Sequence, residues 1–179
     1  MSKVRRVLQQ RGSLVSSDLY SRANEEWSRG RLHSAFRLFL AAAKERDPLA
    51  FAVVGYFYSE GVGTKADNDA ALYWYKRAHR CGSTVAANNI GVIYRDRNDL
   101  NRALAWFRRA IKLRDGDANL NIAKIYLLNK QDGQKATHYL NKAYRAKSNE
   151  ITQQSRGEAK NLLKRIAKAA SWQRAIRRA

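Results

Sequence analysis

The chain is poor in the residues that staple, break or anchor a protein. Of its 179 residues one is cysteine, one is proline, and the longest uncharged run, Cys81 to Tyr94, spans 14. A lone thiol excludes an intramolecular disulfide framework and makes a reducing cytoplasm the expected compartment. One Pro with 10 Gly excludes collagen-like and linker-dominated classes. The 14-residue run falls short of the ~20 that a membrane span requires, and the basic stretch MSKVRRVLQQRGS leads into no apolar region of signal-peptide type. Acid is scarce too: 15 Asp and Glu face 35 Lys and Arg, leaving +20 at pH 7, a balance that bears on partners and solubility rather than on fold. The excess is mostly terminal, with +4 in residues 1–15 and +9 in 142–179 against +7 across the whole of 16–141. At 45% hydrophobic and 10% aromatic residues, the sequence is too apolar for a disordered chain.

A period shows on self-comparison. Gly91, Tyr94, Ala103, Phe107 and Ala110 form a set that recurs downstream as Ala123, Tyr126, Ala136, Leu140 and Ala143. Upstream it recurs as Gly55, Tyr58, Ala71, Tyr75 and Ala78, and again as Ala23, Glu26, Ala35, Phe39 and Ala42. The alanines that open each second half, Ala35, Ala71, Ala103 and Ala136, lie 36, 32 and 33 residues apart. Small residues at these positions let two antiparallel helices approach within ~8–10 Å, and aromatics fill the wedge that remains. Ala71, Trp74, Tyr75, Ala78 and Ala103, Trp106, Phe107, Ala110 each trace one apolar helical face.

Punctuation agrees with the period. Asp47-Pro48 offers an N-cap followed by Pro at the first helical position, Asp67, Ser83, Asp99 and Asp132 fall where further helices begin, and Gly30, Gly82 and Gly116 fall in the breaks. No alternating apolar and polar run competes, so strands are not expected. Residues 150–170 read as a further amphipathic helix with Ala159, Leu162, Leu163, Ile166 and Ala170 on one side. It would cover the last apolar face of a stack.

The spacing resembles the tetratricopeptide repeat (TPR). The unit Ala50-x4-Gly55-x2-Tyr58-Ser-Glu-Gly61-Val62-Gly63-x3-Asp67-x3-Ala71-x2-Trp74-Tyr75-x2-Ala78 is similar to its Sel-one-like (SLR) subclass, including the loop extension such units carry. The first unit departs from the pattern, with Glu26 where the others have Tyr. The resemblance implies an all-α, right-handed superhelix of antiparallel helix pairs, with a basic segment 1–15, four pairs across 16–147, and a basic capping helix and tail across 148–179.

No catalytic constellation is legible. His33, His79 and His138 stand apart, His79-x-Cys81 supplies two of the four ligands a structural zinc site wants, and Glu60-Gly61-Val62-Gly63 follows a helix and lacks the Lys-Ser/Thr of a phosphate loop. Neither enzyme activity, cofactor, metal nor small-molecule substrate is expected. Binding is instead the expectation, on the concave wall that the TPR resemblance implies along the first helix of each pair. In that register the wall holds Tyr20, Asn24, Trp27, Tyr56, Ser59, Asn88, Val92, Arg95, Lys124 and Leu127. Trp27 and Tyr56 could equally pack on neighbouring helices.

A second surface is basic: Arg156, Lys160, Lys164, Arg165 and Lys168, followed by Arg174, Arg177 and Arg178. Simple solvation, an acidic protein partner, the phosphates of a nucleic acid and, least of all, a membrane are the readings open for it. By resemblance, the chain is expected to be a non-enzymatic scaffold or adaptor holding a peptide or acidic protein, in the manner of small bacterial inhibitor or immunity partners. The alternative is a nucleic-acid-binding solenoid that uses its basic ends.

Overall fold

The structure, a computed structural model, describes residues 18–176, with side chains as far as Trp172. Among the described residues the elements are all helices: α1 (18–28), α2 (Leu32–Lys44), α3 (Pro48–Glu60), α4 (Asn68–Arg80), α5 (Thr84–Asp96), α6 (Leu100–Lys112), α7 (Asp117–Leu128), α8 (Gly133–Arg145) and α9 (Gln153–Ile176). They divide into two compact units that meet inside α5, one running to Ala86 and the other from Ala87.

The boundaries have local causes. Asp47 accepts from the backbone N–H of Leu49, Asp67 from Asp69 and Ala70, Asp99 from Arg102, and Asp132 from Lys135, each satisfying donors that a helix start leaves orphaned. Pro48 opens α3, where its missing N–H costs nothing. Gly61 closes α3 in the left-handed conformation at φ 68°. Two residues on, Gly63 at φ 62° passes so close to the carbonyl of Leu32 that a Cβ would overlap it, while its own carbonyl lies 3.1 Å from Nδ1 of His33. The Glu60–Gly63 stretch is therefore a helix-to-helix turn seated on the start of α2.

The core is built from the period. Ala35, Ala71, Ala103 and Ala136 are fully buried, as are Phe39, Tyr75, Phe107 and Leu140 one turn later and Ala42, Ala78, Ala110 and Ala143 after them. Where the first helix of a pair carries Gly, the second presses a ring on it. A Cβ at Gly55 would lie 2.7 Å from Tyr75, and one at Gly91 would lie 2.6 Å from Phe107. The divergent first unit replaces the tyrosine with Glu26, whose half-buried carboxylate binds Arg29 at 3.3 Å and Arg31 at 3.1 Å.

The last helix corrects the sequence expectation. It starts at Gln153 and runs 24 residues, whereas the sequence placed it over 150–170. Thr152 accepts from the N–H of Ser155 and fixes the later start. The run Ala167–Ile176 holds neither Pro nor Gly to end the helix. Ala159 is fully buried and Leu162, Leu163 and Ile166 pack beside it against Leu120, Ala123, Leu140 and Ala143.

Candidate functional site

In the first unit α1 and α3 carry the five predicted wall residues. Trp27 and Tyr56 are brought together: their rings stack at 6.2 Å with 26° between planes, and they stay 37% and 40% exposed. Below them the indole meets Phe57 edge-on at 5.1 Å and Phe39 at 5.8 Å. The rings thus pack on neighbouring helices on one side and are exposed on the other. Tyr20 is half-buried against Phe39. Asn24 donates to the Tyr20 carbonyl of its own helix. Ser59 donates to the Tyr56 carbonyl and lies 3.3 Å from the Tyr75 hydroxyl, inside the helix pair.

In the second unit the polar wall residues are occupied by neighbours. Asn121 on α7 donates to Oδ1 of Asn88 on α5 at 3.0 Å, and accepts from Nη1 of Arg95 at 3.1 Å. Arg95 also pairs with Asp96 at 2.8 Å. The sequence reading missed Asn121. The signal that finds it is the period, because it stands 33 residues after Asn88, the offset that separates Ala103 from Ala136. Lys124 reaches α9, where Nζ lies 2.8 Å from the carboxylate of Glu158. Val92 and Leu127 are half-buried against the core.

The basic surface needs one correction. Arg156 is not part of an open stripe. Its guanidinium donates to the carbonyls of Tyr144 and Ala146 at 3.2 and 2.7 Å, satisfying acceptors that the end of α8 leaves orphaned. Lys160, Lys164, Arg165 and Lys168 are exposed. The side chain of Arg174, together with Arg177 and Arg178, lies outside the described residues, as does the segment 1–15.

Among the described residues Asp115 is the most perturbed acid. Burial pushes the Asp115 carboxyl up to about 6, and the neighbouring Asp117 charge adds to the rise against the lowering effect of the Ala118 N–H. Among the described residues no group of three or more His, Cys, Asp and Glu could hold a metal, and no helix is long and apolar enough to cross a membrane.

Comparison with known proteins resolves along the helix pairs. The Sel1 repeat profile matches residues 52–83 and 117–148, and a tetratricopeptide repeat profile matches 84–114, so the three consecutive pairs from α3 to α8 each answer to a repeat. The chain is a TPR/Sel1-like repeat protein. Among solved structures, a Sel1 repeat protein from Oxalobacter formigenes superposes with a TM-score of 0.54 at 25% identity, covering 74% of this chain and 64% of that one. A protective antigen of uropathogenic Escherichia coli with an SLR fold gives 0.62 at 16% identity, covering 72% and 30%. MamA gives 0.56 at 16% identity, covering 86% and 96%. In sequence, a sel1-like repeat-containing protein of Acanthamoeba polyphaga mimivirus is 27% identical over 85 residues, 48% of this chain and 16% of that protein. The chain thus spans about one-sixth of that relative's length.

Proposed function

We propose that this TPR/Sel1-like protein is a non-catalytic protein-interaction scaffold that captures a peptide segment of an acidic partner on the first-helix faces of its repeats. In this reading it acts as a small cytoplasmic adaptor or as a bacterial inhibitor or immunity partner, and four helix pairs across 16–147 form the binding body. The observation that carries the proposal is the Trp27–Tyr56 stack. Two large rings held rigid by Phe57 and Phe39, yet more than a third exposed, are the kind of anchor from which interface energy is drawn. The Asn88–Asn121–Arg95 chain supports the same reading. It fixes amide and guanidinium groups at the surface of α5 and α7 before any partner arrives, which lowers the ordering cost of binding.

The test is capture from a lysate of the source organism, treated with nuclease, by the tagged protein and by a Trp27→Ala/Tyr56→Ala variant of unchanged helicity. A protein partner retained by the first and lost by the second supports the reading. A partner held equally by both removes it. Loss of each ring is expected to weaken affinity about thirtyfold, the equivalent of roughly 2 kcal/mol for an aromatic hot spot.

A further inference from the structure

α9 occupies the place of a first helix in one more pair and then outgrows it. Two ties hold it parallel to α7 at a nearly constant offset, Asp117 with the N–H and hydroxyl of Thr152, 35 residues apart, and Lys124 with Glu158, 34 apart. That register sets Leu128, the last residue of α7, beside Leu162. α7 stops there after 12 residues, whereas α9 continues to Ile176. At 1.5 Å per residue the overhang is about 20 Å. Every other helix from α2 to α8 ends after 12 or 13 residues, so the overhang runs past the length the repeats can cover.

The overhang and the end of α7 flank an open groove of about 730 Å³ lined by Leu127, Leu128, Leu162, Ile166, Ala169 and Trp172. Two of these apolar residues are left uncovered, Leu128 at 77% exposed and Trp172 at 66%. Arg165 and Lys168 stand on its edge, with the exposed Lys164 one residue away. The one carboxylate of α9, Glu158, is already bound by Lys124. Among the described residues no acid lies within ion-pair distance of Lys164, Arg165 or Lys168.

Charge decides between occupants. Segment 1–15 carries Lys3, Arg5, Arg6 and Arg11 with no acid, and a second copy would set one cationic edge against another, so both are repelled by like charge. The groove's apolar floor has nothing to offer a phosphate backbone, whose recognition rests on Lys and Arg contacts. An amphipathic helix bearing carboxylates meets both features, apolar side chains at i, i+3, i+4 spacing entering the groove and acids facing Arg165 and Lys168. We infer that the groove between the end of α7 and the overhanging half of α9 is a docking site for an acidic amphipathic helix of a partner protein. The site deepens the scaffold reading and belongs to the second unit, whereas Trp27 and Tyr56 belong to the first.

A displayed library of 16-residue peptides, with charge and apolar spacing varied independently, tests this on the full-length chain. Selection is run in parallel on the wild type, on Leu128→Ser/Trp172→Ser, on Arg165→Glu/Lys168→Glu and on Tyr56→Ala. All the altered side chains are exposed or half-exposed, and helicity is checked by circular dichroism. Acidic peptides with helical apolar spacing are expected to dominate the wild-type selection, to lose at least tenfold in affinity on either groove variant, and to bind Tyr56→Ala unchanged. Four results overturn the inference: no acidic amphipathic binder, binders indifferent to both groove variants, a concentration-dependent dimer dissolved by Leu128→Ser/Trp172→Ser, or anionic vesicles or duplex RNA bound through the groove in place of peptides. Peptides that depend on Tyr56 alone overturn the groove and leave the scaffold reading standing. Groove-dependent peptides with a Tyr56-independent natural partner do the reverse.

Discussion

Replacing Gly91 by Ala sets two effects of known size against each other. Alanine is favoured over glycine inside a helix by about 1 kcal/mol, and Gly91 is mid-helix in α5. The added Cβ would stand 2.6 Å from both Cδ1 and Cε1 of Phe107 and 3.0 Å from Cζ, so ring or helix must shift. The ring has nowhere to go, being fully buried in a cluster with Ala87, Ala103, Ala110 and Ile122. Overpacking of this kind costs roughly 1–3 kcal/mol, and contact with a fixed aromatic ring belongs at the upper end. Gly91→Ala is therefore expected to lose about 1–2 kcal/mol net, and Gly91→Leu several. Gly157 supplies the control. It lies in α9 with nothing within 4 Å of a Cβ, so Gly157→Ala gains up to about 1 kcal/mol from propensity alone. Urea titration followed by far-UV circular dichroism reads both, with amide hydrogen exchange in α5 and α6 isolating the second unit, because a two-unit repeat chain need not melt in one step. If Gly91→Ala equals or exceeds the wild type in stability, close approach of Gly and ring is not what fixes the pairing of α5 with α6.

Asp115→Asn keeps the acceptor for the Ala118 N–H and removes a charge that burial disfavours. A carboxyl raised to about 6 in the folded chain makes its favourable contribution below pH ~4 and loses it as pH rises through 6. The variant should thus exceed the wild type by about 1–2 kcal/mol at neutral pH after allowance for partial solvent screening, and match it near pH 4 in thermal melts. Asn121→Ala unmakes two half-buried hydrogen bonds at once, and is expected to cost about 1–2 kcal/mol and to raise hydrogen exchange in α7. Lys160→Ser/Lys164→Ser/Lys168→Ser is expected to leave a partner bound through Trp27 and Tyr56 untouched and to weaken duplex DNA binding, with the slope of log K against log salt reduced by about 3 for three lost phosphate contacts. A Trp27→Ala/Tyr56→Ala variant that keeps its partner, while the lysine variant loses tight and sequence-selective DNA binding, would instead favour the basic solenoid.

The repeat was legible because its determinants are local and categorical. A buried small residue excludes almost every substitute, so Ala71, Ala103 and Ala136 announce a close helix contact wherever they stand. Aspartate at a helix start is nearly as explicit, and Asp67, Asp99 and Asp132 all cap where the sequence placed them. The wall residues were legible only in register. A polar side chain on an inner face serves a neighbouring helix as readily as a ligand, and nothing in the sequence of α7 tells that Lys124 is claimed by Glu158, 34 residues on. Arg156 failed for the same reason in the opposite sense. Spacing groups it with Lys160 and Lys164, but its position in the first turn of α9 puts it within reach of the carbonyls that close α8.

The charge excess itself divides by structure. Within the pairs, cations lie over rings: Arg77 stands 4.8 Å from the Phe51 centroid, Arg109 is 4.4 Å from Trp106, Arg102 is 5.6 Å from Tyr94, and Lys135 and Lys142 cover Tyr126 and Tyr139 at 5.5 and 5.7 Å. Such contacts hold the side-chain stems down on apolar surface and return about 0.5–1 kcal/mol each at exposed sites, so these charges have work within the fold. α9 is different. Trp172 is the sole aromatic of that helix, and Lys160, Lys164, Arg165 and Lys168 are exposed. Because like charges one helical turn apart repel, this arrangement costs the isolated helix a little stability that an anionic partner would return. Part of the exposed positive charge thus falls on the same helix that overhangs its repeat and leaves Leu128 and Trp172 uncovered. What sets α9 apart from the ring-covering cations of α4, α6 and α8 is this coincidence of exposed cations with uncovered apolar side chains.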